Sequence, residues 1–180
     1  MILDWRDAER GDRSRIHSFT CTTPPPKDPG RRAKAHPKQW EYAVQKAIHQ
    51  LHVPIRGADG RLLLGMTEDG AVGALSLWSE LQHRLYKTRI IAVAQAFRGQ
   101  STSAALPGAV ASEALDITIQ EMAKDGPGGR VFGLIDRNNR ASQRLVSAHG
   151  FQLTPNFPVA DPNLQAWTAR LPGDEMSATR

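Results

Sequence analysis

Between residues 40 and 51, the apolar positions Trp40, Ala43, Val44, Ala47, Ile48 and Leu51 recur at spacings of three and four. That pattern predicts an amphipathic helix with one apolar stripe. Pro37 suits its first turn and Pro54 ends it. Downstream the period changes: Arg61 to Met66 and Ala71 to Trp78 are apolar, β-compatible runs around Thr67-Glu68-Asp69-Gly70. They read as an antiparallel hairpin. Leu81 to Lys87 reads as a polar connection, and Ile90 to Gln95, mostly small or apolar, predicts a third, buried strand.

Ala104 to Lys124 presents a wide apolar face through Ala111, Leu115, Ile119 and Met122. Proline is tolerated only in the first turn of a helix, so this helix is expected to begin near Pro107, after a long loop from Arg98 to Leu106. The other reading is a helix capped by Ser103 and kinked at Pro107. Gly126-Pro127-Gly128-Gly129 ends it. Val131 to Asp136 then reads as a strand, Asn138-Asn139 as a helix N-cap pair, Arg140 to His149 as a helix with Gly150 as its left-handed cap, and Leu164 to Leu171 as a last strand. The strand–helix–strand order makes the strand at Val131 a parallel neighbour of the one at Ile90.

Residues 18–38 contain five prolines and read as a linker, with a short strand or early helix near Ile16 to Phe19 before it. The expected organisation is a basic, proline-rich arm over 1–36, one α/β (α+β) domain over 37–172 with a mixed, mostly antiparallel sheet flanked by helices, and a disordered tail over 173–180. A chain of 180 residues has room for one such core.

Charge sharpens the reading of the arm. Residues 1–40 hold nine Lys/Arg and five Asp/Glu, against fourteen and thirteen in the remainder. A basic segment can neutralise phosphates of a nucleic acid, but acidic residues interrupt it and a solvated arm is the simpler account. No apolar run reaches the roughly 20 residues a membrane helix needs. The charged start MILDWRDAERGDR lacks a signal segment, so a cytoplasmic location is expected. Cys21 is the sole cysteine, and His49 and His52 lack a third ligand at suitable spacing, so no metal is expected.

The candidate chemistry concentrates in Arg89 to Ser103, RIIAVAQAFRGQSTS. A strand running into a turn rich in free N–H groups ahead of a helix is a ready anion site. Ala92-Val93, Phe97 and Arg98-Gly99-Gln100 resemble the acetyl-CoA signature of the GNAT superfamily of N-acetyltransferases, although Ser101 and Ser103 stand where glycines or small residues are usual. Asn139, Ser142, Leu145 and Gly150-Phe151 resemble the last helix of the same family. The resemblance spans roughly residues 60–171.

It implies a GNAT-like fold and acetyl transfer from acetyl-CoA to a primary amine by direct attack in a ternary complex. By the same resemblance, Arg98 with Gly99, Gln100, Ser101, Thr102 and Ser103 would hold the pyrophosphate, and Asn139 and Ser142 would contact the pantetheine arm. A backbone N–H at Val93 or Ala94 would meet the oxyanion. The family's usual tyrosine seven residues after the asparagine is Val146 here, and Glu80 is the candidate base. Two other classes fit the same residues: a degenerate CoA-binding or interaction module, and a nucleic-acid-associated protein using its basic arm. Oligomeric state is open, a homodimer included.

Overall fold

The computed structural model describes residues 3–22, 38–55, 60–98 and 109–173. Among these, seven strands build one sheet: β1 (Asp4–Asp7), β2 (Arg61–Met66), β3 (Val72–Gln82), β4 (Leu85–Val93), β5 (Arg130–Asp136), β6 (Gln152–Leu153) and β7 (Leu164–Arg170). Their spatial order is β1-β2-β3-β4-β5-β7-β6. Every neighbouring pair is antiparallel except β4 and β5. That parallel pair is joined by a crossover through α3 (Ala109–Asp125).

Both faces of the sheet are covered. On one face α1 (Arg13–Ser18) and α2 (Gln39–His49) bring Ile16 and Ile48 onto Leu62, Leu64, Leu75, Leu77, Ile90 and Ala92. On the other, Leu115 and Met122 of α3 pack with Leu63, Trp78, Tyr86 and Val131, alongside Leu145 and Val146 of α4 (Arg140–Ala148). This double cover is why β2 and β3 read as continuous apolar runs instead of alternating ones. Leu64, Leu75 and Leu77 are at most 1% exposed, and truncating any one to alanine would cost roughly 2–5 kcal/mol.

A bulge in β4 re-aims the strand. Leu77 pairs with Ile90 and Trp78 with Thr88, leaving Arg89 as the extra residue. A bulge shifts the alternation by one. Before it, Tyr86 and Thr88 share the α3 face with Trp78; beyond it, Ile91 and Val93 take that face while Ile90 and Ala92 join the α1–α2 core.

Three expectations from the sequence need correction. Residues 3–22 are not an arm: β1 pairs with β2 from Asp4–Met66 to Asp7–Leu63, and Leu3, Ile16, Phe19 and Cys21 are buried. The charges that suggested an arm are partly consumed internally, since Asp12 is 1% exposed and takes Arg6 at 2.7 Å and Arg15 at 3.0 Å. Residues 23–37, 99–108 and 174–180 lie outside the described residues, and with them most of the expected linker, the helix start expected near Pro107 and the expected tail. Leu81 to Lys87 is not a connection but the end of a long β3–β4 hairpin. Its turn at His83-Arg84 places Arg84 at φ 58°, and Glu80 Oε1 accepts the Arg84 N–H at 2.8 Å. Finally, β6 was not anticipated, because two exposed residues carry no periodic signal.

Candidate active site

β4 and β5 pair only from Leu85–Arg130 to Thr88–Gly133. Past that rung, Arg89–Val93 and Leu134–Asp136 separate, because β4 has bent at the Arg89 bulge while it keeps its pairing to β3. The result is a wedge-shaped gap in the middle of the sheet. Its β4 wall carries directed backbone groups. Ala94 N–H donates to Gly73 O at 2.8 Å, and Ala74 faces Val93 in the register. In an antiparallel ladder alternate residues turn their N–H and C=O to opposite sides, so Ile91 and Val93 direct theirs away from β3 and into the gap.

This divides the two residues expected to meet an oxyanion. The Val93 N–H faces the gap, whereas the Ala94 N–H is consumed by Gly73. Ile91, one strand period deeper, joins Val93. It was not identified from the sequence because Ile90-Ile91-Ala92-Val93 is apolar throughout and shows no parity; only pairing with β3 reveals which residues face the gap.

At the open end, the chain leaves β4 through a 3₁₀ turn at Gln95–Phe97. Gln95 N–H donates to Thr20 O at 2.7 Å, drawing the segment after α1 against this exit. Arg98 Nη1 then lies 2.9 Å from Glu41 Oε1 in the first turn of α2. Glu41 also receives Thr22 Oγ1 at 3.2 Å and Lys38 Nζ at 3.2 Å. Cys21 is fully buried close by, and its burial pushes the thiol up to about 11. The remaining expected phosphate ligands, Gly99 to Ser103, lie outside the described residues.

Following β5, Asn139 caps α4, accepting Ser142 N–H on its Oδ1 at 3.2 Å. Buried Gln143 donates to the carbonyls of Asp136 and Arg137, at 3.1 and 3.0 Å, and so fixes the strand-to-helix turn. Gly150 closes the helix at φ 80°, with Phe151 N–H on Val146 O and Gly150 N–H on Ser147 O. Asn139 and Ser142 therefore stand at the β5–α4 corner beside the gap, with one side-chain acceptor and one backbone donor already paired to each other.

Glu80 is not brought to this place. Ala74 is the β3 partner of Val93, and Glu80 sits six residues further along β3, about 20 Å away at strand pitch. Its carboxylate is exposed and tied to the hairpin turn. Among the described residues no group of three or more His, Cys, Asp or Glu is arranged to hold a metal ion. No described helix is long and apolar enough to cross a membrane.

No protein-family model matches the sequence, and no curated protein matches it. Solved structures do. An acetyltransferase of the GNAT family from Staphylococcus aureus Mu50 aligns over 94% of this chain and 99% of its own, at 11% identity and a TM-score of 0.64. A putative phosphinothricin N-acetyltransferase aligns over 94% and 98%, at 18% identity and a TM-score of 0.60. The ribosomal-protein-S18-alanine N-acetyltransferase from Escherichia coli aligns over 95% of both chains, at 16% identity and a TM-score of 0.58. At such identities the likeness establishes the fold.

Proposed function

The chain has the fold of the GNAT acetyltransferases, and from that premise we propose that it transfers an acetyl group from acetyl-CoA to a primary amine by direct attack in a ternary complex. The observation that carries this reading is the gap between β4 and β5, walled by the inward-facing backbone groups of Ile91 and Val93. An extended acyl-pantetheine arm fits such a wall, because it offers the amide groups that an unpaired strand edge needs.

The amine nitrogen attacks the thioester carbonyl, and the oxygen takes up negative charge. The N–H of Ile91 or Val93 stabilises it; one such fixed donor is worth about 3–4 kcal/mol of barrier. Arg98 and the Gly99–Ser103 segment are assigned to the pyrophosphate, and the Asn139–Ser142 corner to the pantetheine arm. Glu80, tied to the β3–β4 turn, lies too far along β3 to serve as the base. The acceptor is stated only as an amine, since similar folds serve phosphinothricin in one case and an alanine of a ribosomal protein in another.

Calorimetric titration with acetyl-CoA, beside the Arg98→Glu variant, tests the reading. Micromolar binding that the variant loses supports it, and thiol release with an amine panel then identifies the acceptor. Absence of binding by the folded wild-type protein overturns it. A second reading, CoA binding without transfer, draws on Val146 at the position of the usual tyrosine; it predicts the same titration with no thiol release from any amine.

A further inference from the structure

The sheet face opposite α3 and α4 is covered unevenly. The α1–α2 core takes Leu62, Leu64, Leu75, Leu77, Ile90 and Ala92 from β2, β3 and β4, and no residue of β5 or β7. Parity along β5 is set by Val131, which packs under α3. Arg130 and Phe132 therefore stand on the opposite face, as do their partners Arg170 and Thr168 on β7 and, across from Phe132, Lys87 on β4.

This parity sets two arginines directly against each other. Arg130 pairs with Arg170, both are exposed, and the Cβ atoms of such a pair lie about 5 Å apart. Half-buried Lys87 is diagonal to Arg130, at about 7–8 Å. Exposed Arg84 adjoins the row at the hairpin turn, where its carbonyl takes the Arg130 N–H at 2.8 Å. Among the described residues no ion pair joins any of these four cations to a carboxylate. Glu80 pairs with Tyr86 and so belongs to the α3 face. Asp136 shares the face of Arg130 but lies six residues up β5, about 20 Å away, and accepts the Asn138 N–H.

Like charges directly opposite each other destabilise a sheet. With no acid between them, Arg130 and Arg170 repel until an anion lies across the pair. Guanidinium forks suit the paired oxygens of a phosphate. A protein partner would be held by a packed anchor at the centre, but Phe132 is 6% exposed and already stacked on Phe157, ring centroids 4.8 Å apart. The buried ring also leaves no platform for base stacking. What the face presents is charge.

We propose that the open β4–β5–β7 face binds the phosphate backbone of a nucleic acid, through Lys87, Arg130 and Arg170 with Arg84 at the margin, and without reading its sequence. The surface is separate from the gap, since Arg130 stands on the first paired rung of β4 and β5 and the gap opens beyond the fourth. The inference does not depend on acetyl transfer.

The test is anisotropy of a fluorescein-labelled single-stranded RNA of mixed sequence, titrated with the full chain over a range of salt. Log affinity is expected to fall against log salt with a slope of about −2 to −3, for three or four phosphates. Arg130→Glu with Arg170→Glu should weaken binding about tenfold or more and make the slope shallower by about 1.4. Arg130→Gln and Arg170→Gln should weaken it in the same direction and melt no lower than wild type, since a like charge has gone. Arg10→Glu with Arg13→Glu, the same charge change at exposed residues elsewhere, should leave binding within about twofold. Equal losses in the two charge-reversed proteins would reduce the effect to net charge and overturn the inference. Equal binding of polyglutamate overturns it in favour of an acidic protein, and RNA binding that appears only after Asp174→Asn with Glu175→Gln overturns it in favour of the chain's own acids. No RNA binding at low salt by a wild-type protein that binds acetyl-CoA overturns it and leaves the proposed function standing.

Discussion

Arg98 and Glu41 form an ion pair, Nη1 to Oε1 at 2.9 Å, that ties the exit of β4 to the first turn of α2. The guanidinium proposed for a pyrophosphate is thus held by a carboxylate in the first turn of α2.

If the phosphate takes Arg98, it competes with Glu41. Glu41→Gln is then expected to tighten acetyl-CoA binding about three- to tenfold, the scale of a partly exposed ion pair. Arg98→Gln should weaken it, and the double variant should match Arg98→Gln alone. Titration of the four proteins decides the matter; weaker binding by Glu41→Gln would mean that Glu41 positions Arg98 instead of competing for it.

Asp12 is expected to govern acid stability. Arg6 binds both its oxygens at 2.7 Å, and Arg15 and the Glu9 N–H add bonds at 3.0 and 2.9 Å. The Arg6 hydrogen bonds, aided by these neighbours against the cost of burial, hold the carboxyl down to about 2. A lowered carboxyl pKa adds stability that is complete above the ordinary value and lost as pH falls through the folded one. The window runs from about pH 4 to about pH 2 and spans about 2 kcal/mol. Asp12→Asn should lose at least that much at neutral pH and flatten the acid limb in urea titrations at several pH values.

Thr118 and Ser76 join α3 to β3 in the core, both 0% exposed, with oxygens 2.6 Å apart. Thr118 Oγ1 also lies 2.6 Å from Ala114 O. A hydroxyl carries one proton, so both contacts are made only if Ser76 donates to Thr118. Thr118→Val strands the Ser76 hydroxyl and should cost about 1–3 kcal/mol in denaturant unfolding. Adding Ser76→Ala should restore part of it.

Cys21 is expected to be inert in the native protein. With its thiol pushed up to about 11 by burial, only about one molecule in a thousand carries the reactive thiolate at pH 8. Iodoacetamide should label it slowly until denaturant opens the fold, then at the rate of a free cysteine. Rapid native labelling would show that the segment around Cys21 opens well below global unfolding.

Local signals were legible where one segment carries its own period or cap. The α2 stripe from Trp40 to Leu51, the β2–β3 turn at Asp69-Gly70, and α4 between Asn139 and Gly150 all appear where their residues placed them. The N-terminal strand was not legible, because Asp4-Trp5-Arg6-Asp7 is a charged edge whose pairing with β2 lies nearly sixty residues away. The extent of the β3–β4 hairpin was hidden for a related reason: its tip, from Glu80 to Arg84, is exposed and mostly polar.

By itself, the order and period of the apolar runs determined an α/β chain with a strand leading into a polar turn and a capped helix after the next strand, because those features depend on neighbours within a few residues. Tertiary pairing decided the rest. The bulge at Arg89, the opening beyond Thr88–Gly133, the direction of the Ile91 and Val93 amides, the pairing of Arg98 with Glu41 and the facing of Arg130 and Arg170 all depend on register between distant strands. A uniformly apolar strand has no parity of its own; it acquires one only from the strand it pairs with.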